Sequence, residues 1–315
     1  MAWLGSISSV KRPDASGHQT TQEIQCHTRC KPFSSGRCYC SLSQFDDLPT
    51  NDTGVGHSSS SLPYKNVFVE GYTVKNVAKA LPDLGSPVDI MCASSAPNAL
   101  FGSRQHGAPW PHVSLHDLAL PHDHPRDNVT FNMRSLTISP TGNIPGEPGD
   151  TLVQILIYLI QLPNEASPDG GYPGMFRGEP DYIGRQVFGL GMLFGVGPHE
   201  STLIDYDLIR SVITGYGNKV DVMEIYAEKF TLNEKKQLWE IDGDWEFCID
   251  DVKVEVVEGE KEQTDRFEPS RQQMTWVWPL SDGVLMPECE LGSKIMGDLG
   301  RLDGFESVCP ETFME

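Results

Sequence analysis

The sequence predicts a mainly β protein, with a β-sandwich or barrel-like fold (α+β is the alternative), one principal helix and a disordered N-terminal arm. Three observations support this. The 315 residues include 30 Gly and 23 Pro, which favours many short elements joined by turns. Several apolar runs are rich in β-branched residues or alternate with polar ones. Only one segment has clear helical spacing. We expect a flexible polar arm at 1–62, a β-rich domain at 63–281 and an acidic irregular tail at 282–315.

The arm is rich in Ser and Gly, has no sustained apolar period and balances 5 basic against 5 acidic residues. Four cysteines crowd into it: Cys26, Cys30, Cys38 and Cys40. Closely spaced thiolates can share a zinc ion in a reducing compartment, or form two disulfides in an oxidising one. The spacing matches no zinc-finger pattern, and the polar surroundings favour unliganded thiols. The remaining cysteines, Cys92, Cys248, Cys289 and Cys309, are scattered and are interpreted as core or bystander residues.

The first half of the domain contains three strand signals. Residues 67–74 predict a strand, a turn at Glu70-Gly71 and a second strand. Residues 129–138 alternate apolar and polar side chains, which is typical of a half-buried strand. Residues 152–162 form an almost unbroken apolar run bordered by Gly and Pro, which predicts a central strand covered on both faces.

The second half contains the helix signal and a hairpin signal. Ile204, Leu208 and Val212 recur at four-residue spacing, which predicts a helix over 203–212. Further along, apolar alternation on both sides of Asp242-Gly243 predicts a hairpin with a type I′ turn. A third strand is expected from Val252 onward, and a fourth near residues 274–278.

The histidine-rich loop at 93–128 contains the pair His122 and His124, followed by Asp127 and a strand. A His-x-His pair beside a strand can offer two imidazoles to one metal, with a carboxylate as a further ligand. This run resembles the first motif of the cupin family, and the resemblance implies a double-stranded β fold holding a catalytic divalent metal. The cupin glutamate and the histidine of the second motif are missing. Exposed histidines in a polar, Pro-rich loop are therefore the favoured reading.

Two other patterns have structural explanations. Gly189, Gly191 and Gly195 depart from the G-x-G-x-x-G spacing of a dinucleotide loop, so glycines that let two sheet layers approach are favoured. The segment from Trp239 to Asp251, together with Trp276 and Trp278, combines aromatics with carboxylates, as sugar-cleaving sites do. An amphipathic hairpin with its aromatics in the core and its acids in solvent explains the same pattern without chemistry.

The net charge of −20 is concentrated in residues 221–315, which contain 24 acidic and 9 basic residues. Such a segment repels phosphate backbones, which disfavours nucleic acid as its partner. No basic leader followed by an apolar run is visible, so we expect a soluble intracellular protein.

The function predicted from these features is non-catalytic binding or assembly, through a protein partner with a basic surface or through self-association. Viral matrix, coat and movement proteins share the plan of a polar arm and a β-rich body, which is an analogy at the level of fold alone. No cofactor is expected. The alternative is a cupin-like enzyme that binds zinc or another divalent metal through His122, His124 and Asp127.

Overall fold

The computed structural model describes thirteen parts of the chain, which are residues 38–43, 45–58, 62–64, 67–77, 97–103, 111–114, 129–161, 186–205, 220–258, 272–276, 294–295, 298 and 305–308. Within these residues the structure is almost entirely β-strand, and helical backbone occurs only at 294, 295 and 298. The mainly β prediction is confirmed at this level.

Most strands belong to two large sheets. The first sheet has the order β13-β8-β16-β6-β5-β2, with β1 beside β16. Its strands are β1 Cys38–Ser43, β2 Val55–Ser58, β5 Tyr72–Asn76, β6 Asn98–Gly102, β8 Val129–Pro140, β13 Thr202–Asp205 and β16 Phe247–Glu258.

The second sheet has the order β18-β17-β11-β10-β14-β7-β4-β3, with β15 beside β14. Its strands are β3 Leu62–Tyr64, β4 Val67–Glu70, β7 His112–Ser114, β10 Thr151–Gln161, β11 Gln186–Phe194, β14 Val222–Asn233, β15 Leu238–Trp245, β17 Gln272–Trp276 and β18 Phe305–Val308. A small ribbon pairs β9 Asn143–Ile144 with β12 Gly197–Pro198.

The two large sheets share one hydrophobic core. Phe131 and Ile138 of β8 belong to the same buried cluster as Ile155 and Ile157 of β10. Side chains alternate between the faces of a strand, so every second residue of β10 from Val153 to Leu159 enters this core. The other residues lie on what we call the outer face of each sheet.

Strand β10 is the centre of the second sheet, as predicted for residues 152–162. It pairs antiparallel with β11 on one side and β14 on the other. Residues 151–160 are all buried, on both faces. A strand without a solvated face explains why the apolar run shows so little alternation.

The prediction of a principal helix over 203–212 is wrong for its described part. Residues 202–205 form β13, which pairs antiparallel with β8. Ile204 is buried, whereas Leu203 is 65% exposed and Asp205 is also exposed, so the burial period is two. Pairing with β8 overrides the four-residue spacing, and residues 206–212 lie outside the described residues.

The predicted turn at Asp242-Gly243 is also wrong, because β15 runs straight through it. The register changes there: Lys229 of β14 faces Gly243, while Phe230 faces Ile241, which leaves Asp242 as the extra residue of a β-bulge. Gly243 has a φ of +148°, which favours glycine. The true turn between β14 and β15 lies at residues 234–237, where the amide of Lys236 donates to the carbonyl of Asn233. The separate strand expected from Val252 is the second half of β16.

The predicted turn at Glu70-Gly71 does not join a hairpin. Its two strands exist, but β4 belongs to the second sheet and β5 to the first. Gly71, with a φ of +77°, is where the chain passes from one sheet to the other. A second crossing, between β15 and β16, occurs at Glu246, and Lys75 Nζ lies 2.8 Å from Glu246 Oε1.

The sheets include part of the segment that the sequence assigned to the N-terminal arm. Strand β1 pairs with β16, β2 pairs with β5, and the buried side chain of Phe45 belongs to the shared core. Asn98 fixes the loop after Phe45, since its Nδ2 donates to the carbonyls of Phe45, Asp46 and Leu48 at 3.1, 3.2 and 3.0 Å. Residues 1–37 lie outside the described residues. In the predicted tail, residues 305–308 form β18.

Candidate functional site: a buried polar row on the second sheet

The outer face of the second sheet carries polar side chains that are nevertheless buried. Gln154 of β10 is 0% exposed, and Glu224 and Glu228 of β14 are each 3% exposed. Glu70 and His112, from β4 and β7, are also buried. Glutamate is rarely buried in proteins, so three buried glutamates on one face make this face a candidate functional site.

One row of this face crosses four strands. Tyr158 of β10 faces Glu224 of β14, Glu224 faces His112 of β7, and His112 faces Glu70 of β4. The Nε2 atom of His112 lies 3.3 Å from Oε2 of Glu70. The imidazole is therefore placed by register between two carboxylates.

Two tyrosines connect this row to the next part of the face. The hydroxyls of Tyr158 and Tyr226 lie 2.8 Å apart, and the rings stack with centroids 5.4 Å apart at 28°. Their partners on β11 and β10 are small or apolar, because Gly189 faces Tyr158 and Leu156 faces Tyr226. Gly189 and Gly191 thus lie on the outer face of the second sheet, away from the core that the two sheets share.

A second row begins at Gln154. By register Gln154 faces Glu228, and Glu228 faces Asp244 of β15. Among the described residues, neither Nε2 nor Oε1 of Gln154 has a hydrogen-bond partner. Burial decreases along the row, from the fully buried Gln154 through Glu228 to the half-buried Asp244. We call these three residues the Gln154 row.

The hairpin formed by β14 and β15 borders this row and carries its own ion pairs. Lys229 Nζ lies 2.5 Å from Asp242 Oδ2, and Lys236 Nζ lies 2.7 Å from Glu240 Oε1. The hydrogen bond from Lys236, supported by one from Asn233, holds the pKa of Glu240 below its ordinary value. Lys229 directly follows Glu228 in the strand and therefore points to the opposite face of the sheet.

The aromatic hairpin predicted from the sequence is amphipathic in part. Trp239, Phe247 and Ile249 are buried, and Trp245 packs against the shared core. Ile241, expected on the same side as Trp245, is 42% exposed, and the bulge at Asp242 places it on the opposite face of β15 from Trp245. The Nε1 of Trp245 donates to the carbonyl of Thr141 at 2.9 Å.

Most of the predicted metal ligands lie outside the described residues, namely His122, His124, Asp127, Cys26 and Cys30. The backbone of β1 contains Cys38 and Cys40, which by register face Val257 and Glu255. In the part of the chain that the structure describes, no group of three or more His, Cys, Asp or Glu side chains is arranged to hold a metal ion.

One of the scattered cysteines has a covalent role. Cys248 is fully buried, in a small apolar cluster with Val77, Ala99 and Phe101, and it is disulfide-bonded. The sequence interpretation of Cys248 as a core residue is correct, because its side chain is buried. The disulfide was not predicted from the sequence.

Sequence reasoning missed Gln154, Glu224 and Glu228 as site residues. The available signal was weak: Gln154 interrupts an apolar run, and Glu224, Tyr226 and Glu228 share one face of a strand at period two. Only the register shows that Gln154 and Glu228 are neighbours.

Comparison with known proteins provides no family for the chain: no protein-family model and no curated protein matches it. Within the described residues, no helix has both the length and the apolar character to cross a membrane. The functional argument therefore rests on the geometry of the second sheet.

Proposed function

We propose that the protein is a non-catalytic binding or assembly protein that docks a basic protein surface, on a partner or on a second copy of the chain, against the acidic outer face of its second sheet. The observation that carries this proposal is the acidic row that runs from buried Glu228 to half-buried Asp244 at the β15 border of this face. Carboxylates gathered on one face generate a negative potential that attracts cations.

The charge of the chain supports the same kind of partner. The segment 221–315, which supplies β14 and β15, contains 24 acidic against 9 basic residues. Its field favours basic protein surfaces and opposes nucleic acid. Acids near the edge strand β15 would act at long range, which raises the association rate more than it slows dissociation.

Strand β15 pairs with β14 alone among the described residues, and its features do not suggest pairing with a further strand. β15 carries a bulge at Asp242 and charged side chains on either side of it, which are features that protect sheet edges from edge-to-edge association. Recognition through side-chain charge is therefore the better supported mode.

The proposal is tested by comparing two single variants that remove equal charge. Asp244→Asn alters the outer face at the β15 edge, whereas Glu200→Gln alters an exposed acid elsewhere. Partners are first captured by the full chain, and self-association is measured by sedimentation velocity. We expect binding to weaken as ionic strength rises, and the β15 variant alone to associate more slowly.

Three results would contradict the proposal. One is a chain that stays monomeric and captures no basic protein. Another is tight, salt-resistant binding to DNA or RNA. The third is stoichiometric Fe, Mn, Ni or Zn in the purified protein, which would support the metal-dependent alternative instead.

A further inference from the structure

We infer that Asn51 is an attachment site for an N-linked glycan, which is added to the nitrogen of its side-chain amide in an oxidising secretory compartment. Residues 51–53 read Asn-Asp-Thr, which is the pattern Asn-x-Thr with a middle residue other than proline. This is the acceptor pattern for N-glycosylation. The inference does not depend on the proposed function, because these residues adjoin the first sheet and the docking face belongs to the second.

The first argument is the position of the acceptor residues in a turn before β2. Residues 51–53 are all exposed. The turn is closed by the bridge between Thr50 and Gly56, and by a hydrogen bond of 2.9 Å from the amide of Asn51 to the carbonyl of Val55. It leads into β2, which is the last strand in the order of the first sheet and pairs there with β5. A glycan on this turn would therefore extend into solvent and leave the shared core undisturbed.

The second argument is the bonding of the Asn51 side chain. Its Oδ1 accepts hydrogen bonds from the amides of Thr53 and Val55, both at 3.0 Å, and from Oγ1 of Thr53 at 2.7 Å. Its Nδ2 donates to no group among the described residues. An N-linked sugar replaces one hydrogen on Nδ2 and leaves Oδ1 in place. The folded turn can therefore carry the glycan and keep all three bonds.

The third argument is the disulfide of Cys248. This residue is fully buried and disulfide-bonded. Disulfides form and persist in oxidising environments such as the lumen of the endoplasmic reticulum, and they are rare in the cytosol. N-glycans are carried by secreted proteins, which pass through such an environment. Two features of different chemistry thus indicate the same compartment.

The attachment reaction needs a co-reactant, which is a sugar donor activated by a lipid diphosphate. Nδ2 of Asn51 forms a bond to the anomeric carbon of the sugar, and the bond from that carbon to the diphosphate oxygen breaks. The lipid diphosphate leaves with the electron pair, and the amide nitrogen loses one proton. Nothing is oxidised or reduced in this step.

The chain contains one other Asn-x-Thr sequence, at residues 128–130. Asn128 lies outside the described residues. Thr130 is a strand residue of β8 and faces Val257 of β16 by register, so this second sequence runs into a paired strand. It provides a matched control for the exposed turn at Asn51.

The test expresses the full chain behind a cleavable secretion leader in cultured eukaryotic cells. Both the secreted chain and the chain retained in the cells are treated with a peptide N-glycosidase in heavy-oxygen water. The enzyme converts a glycosylated asparagine to an aspartate that carries heavy oxygen, and peptide mass spectrometry locates it. We expect this label at residue 51, together with a slower gel band that is lost on deglycosylation.

Four variants distinguish the acceptor site from a structural effect. Thr53→Ser keeps the hydroxyl and should keep the label at residue 51. Thr53→Val has a similar shape without the hydroxyl, and Asn51→Asp keeps an oxygen that can accept the bonds of Oδ1, so both should fold and both should lose the label. Asn128→Gln should keep the label at residue 51.

Two results would overturn the inference. One is an unlabelled residue 51 in wild-type chains from which the leader has been removed, because those chains have entered the compartment. The other is a label at residue 51 that persists in Thr53→Val. Because the retained chain is read as well as the secreted chain, a variant that fails to fold or to leave the cell still gives a result.

Discussion

Replacing Gln154 by methionine should stabilise the protein. The buried amide of Gln154 has no hydrogen-bond partner among the described residues, and an unpaired buried amide costs about 1–3 kcal/mol. Methionine has a similar volume and no polar atom, so a volume-conserving exchange loses less than about 1.5 kcal/mol to imperfect packing. The balance favours the variant by about 1 kcal/mol, which corresponds to a rise of roughly 2–4 °C in the midpoint of thermal unfolding.

Asn98 provides a control of opposite sign. Its Nδ2 donates to the carbonyls of Phe45, Asp46 and Leu48, so Asn98→Leu leaves buried acceptors without that donor. We expect a loss of about 1–3 kcal/mol. Urea unfolding followed by circular dichroism compares the two variants with the wild type. If Gln154→Met destabilises the protein as much as Asn98→Leu does, Gln154 makes bonds that stabilise the fold, and the argument from its unpaired amide is refuted.

Four further outcomes are expected. Gly102→Ala should cost about 1–3 kcal/mol in urea unfolding, because the added Cβ would lie 2.6 Å from Cζ of the buried Phe247 ring; an unchanged midpoint would show that the ring moves freely. Ile157→Asp should cost several kcal/mol and abolish the native near-UV spectrum, and a soluble native variant would contradict the central position of β10. Removal of residues 1–61 should lower the thermal midpoint far more than removal of residues 1–37, since only the longer deletion removes β1, β2 and Phe45; equal midpoints would contradict the placement of these strands in the sheets. Alkylation of the denatured, unreduced protein followed by mass spectrometry should leave Cys248 unmodified, and its labelling would contradict the disulfide.

The cysteine result also bears on the compartment. Disulfides persist in oxidising environments and are rare in the cytosol. The intracellular location predicted from the sequence stays a prediction, and a quantitative disulfide at Cys248 would weigh against it.

How much of the fold could be predicted from the sequence depends on whether each signal comes from residues that are close together in the chain. Residues 152–162 were predictable as a central strand, because a strand buried on both faces is apolar along its whole length. The segment at 203–205 was not, since a strand and a helix can both place an apolar residue at position 204. Pairing with β8, which is distant in sequence, decided between them.

At two positions the turn residues led to a wrong prediction of a hairpin, for a similar reason. Asp242-Gly243 supplies the backbone freedom of a hairpin turn, but a bulge needs the same freedom. Glu70-Gly71 likewise joins two real strands, and only the sheet order shows that the chain changes sheets there. The local sequence indicates which backbone angles are favoured at a turn. It does not indicate which strands pair with each other.

The candidate site could not be predicted from the sequence, because its residues are far apart in the chain. Gln154 and Glu228 are 74 positions apart and become neighbours only through the register of β10 on β14. The histidine and cysteine clusters were visible because their members are close in sequence. His112 was visible within the histidine-rich loop, yet its position between Glu70 and Glu224 depends on two strand pairings.

Hydrogen exchange of the full chain, followed by mass spectrometry with and without the captured basic partner, tests the acidic face most directly. The account predicts slower exchange in peptides from the β14–β15 hairpin that contain Asp244, and no change in peptides from β8 and β16 of the first sheet. Asp244→Asn should reduce this protection at the same partner concentration. Protection confined to the first sheet, or equal protection in the variant and the wild type, would contradict the assignment of partner docking to the outer face of the second sheet.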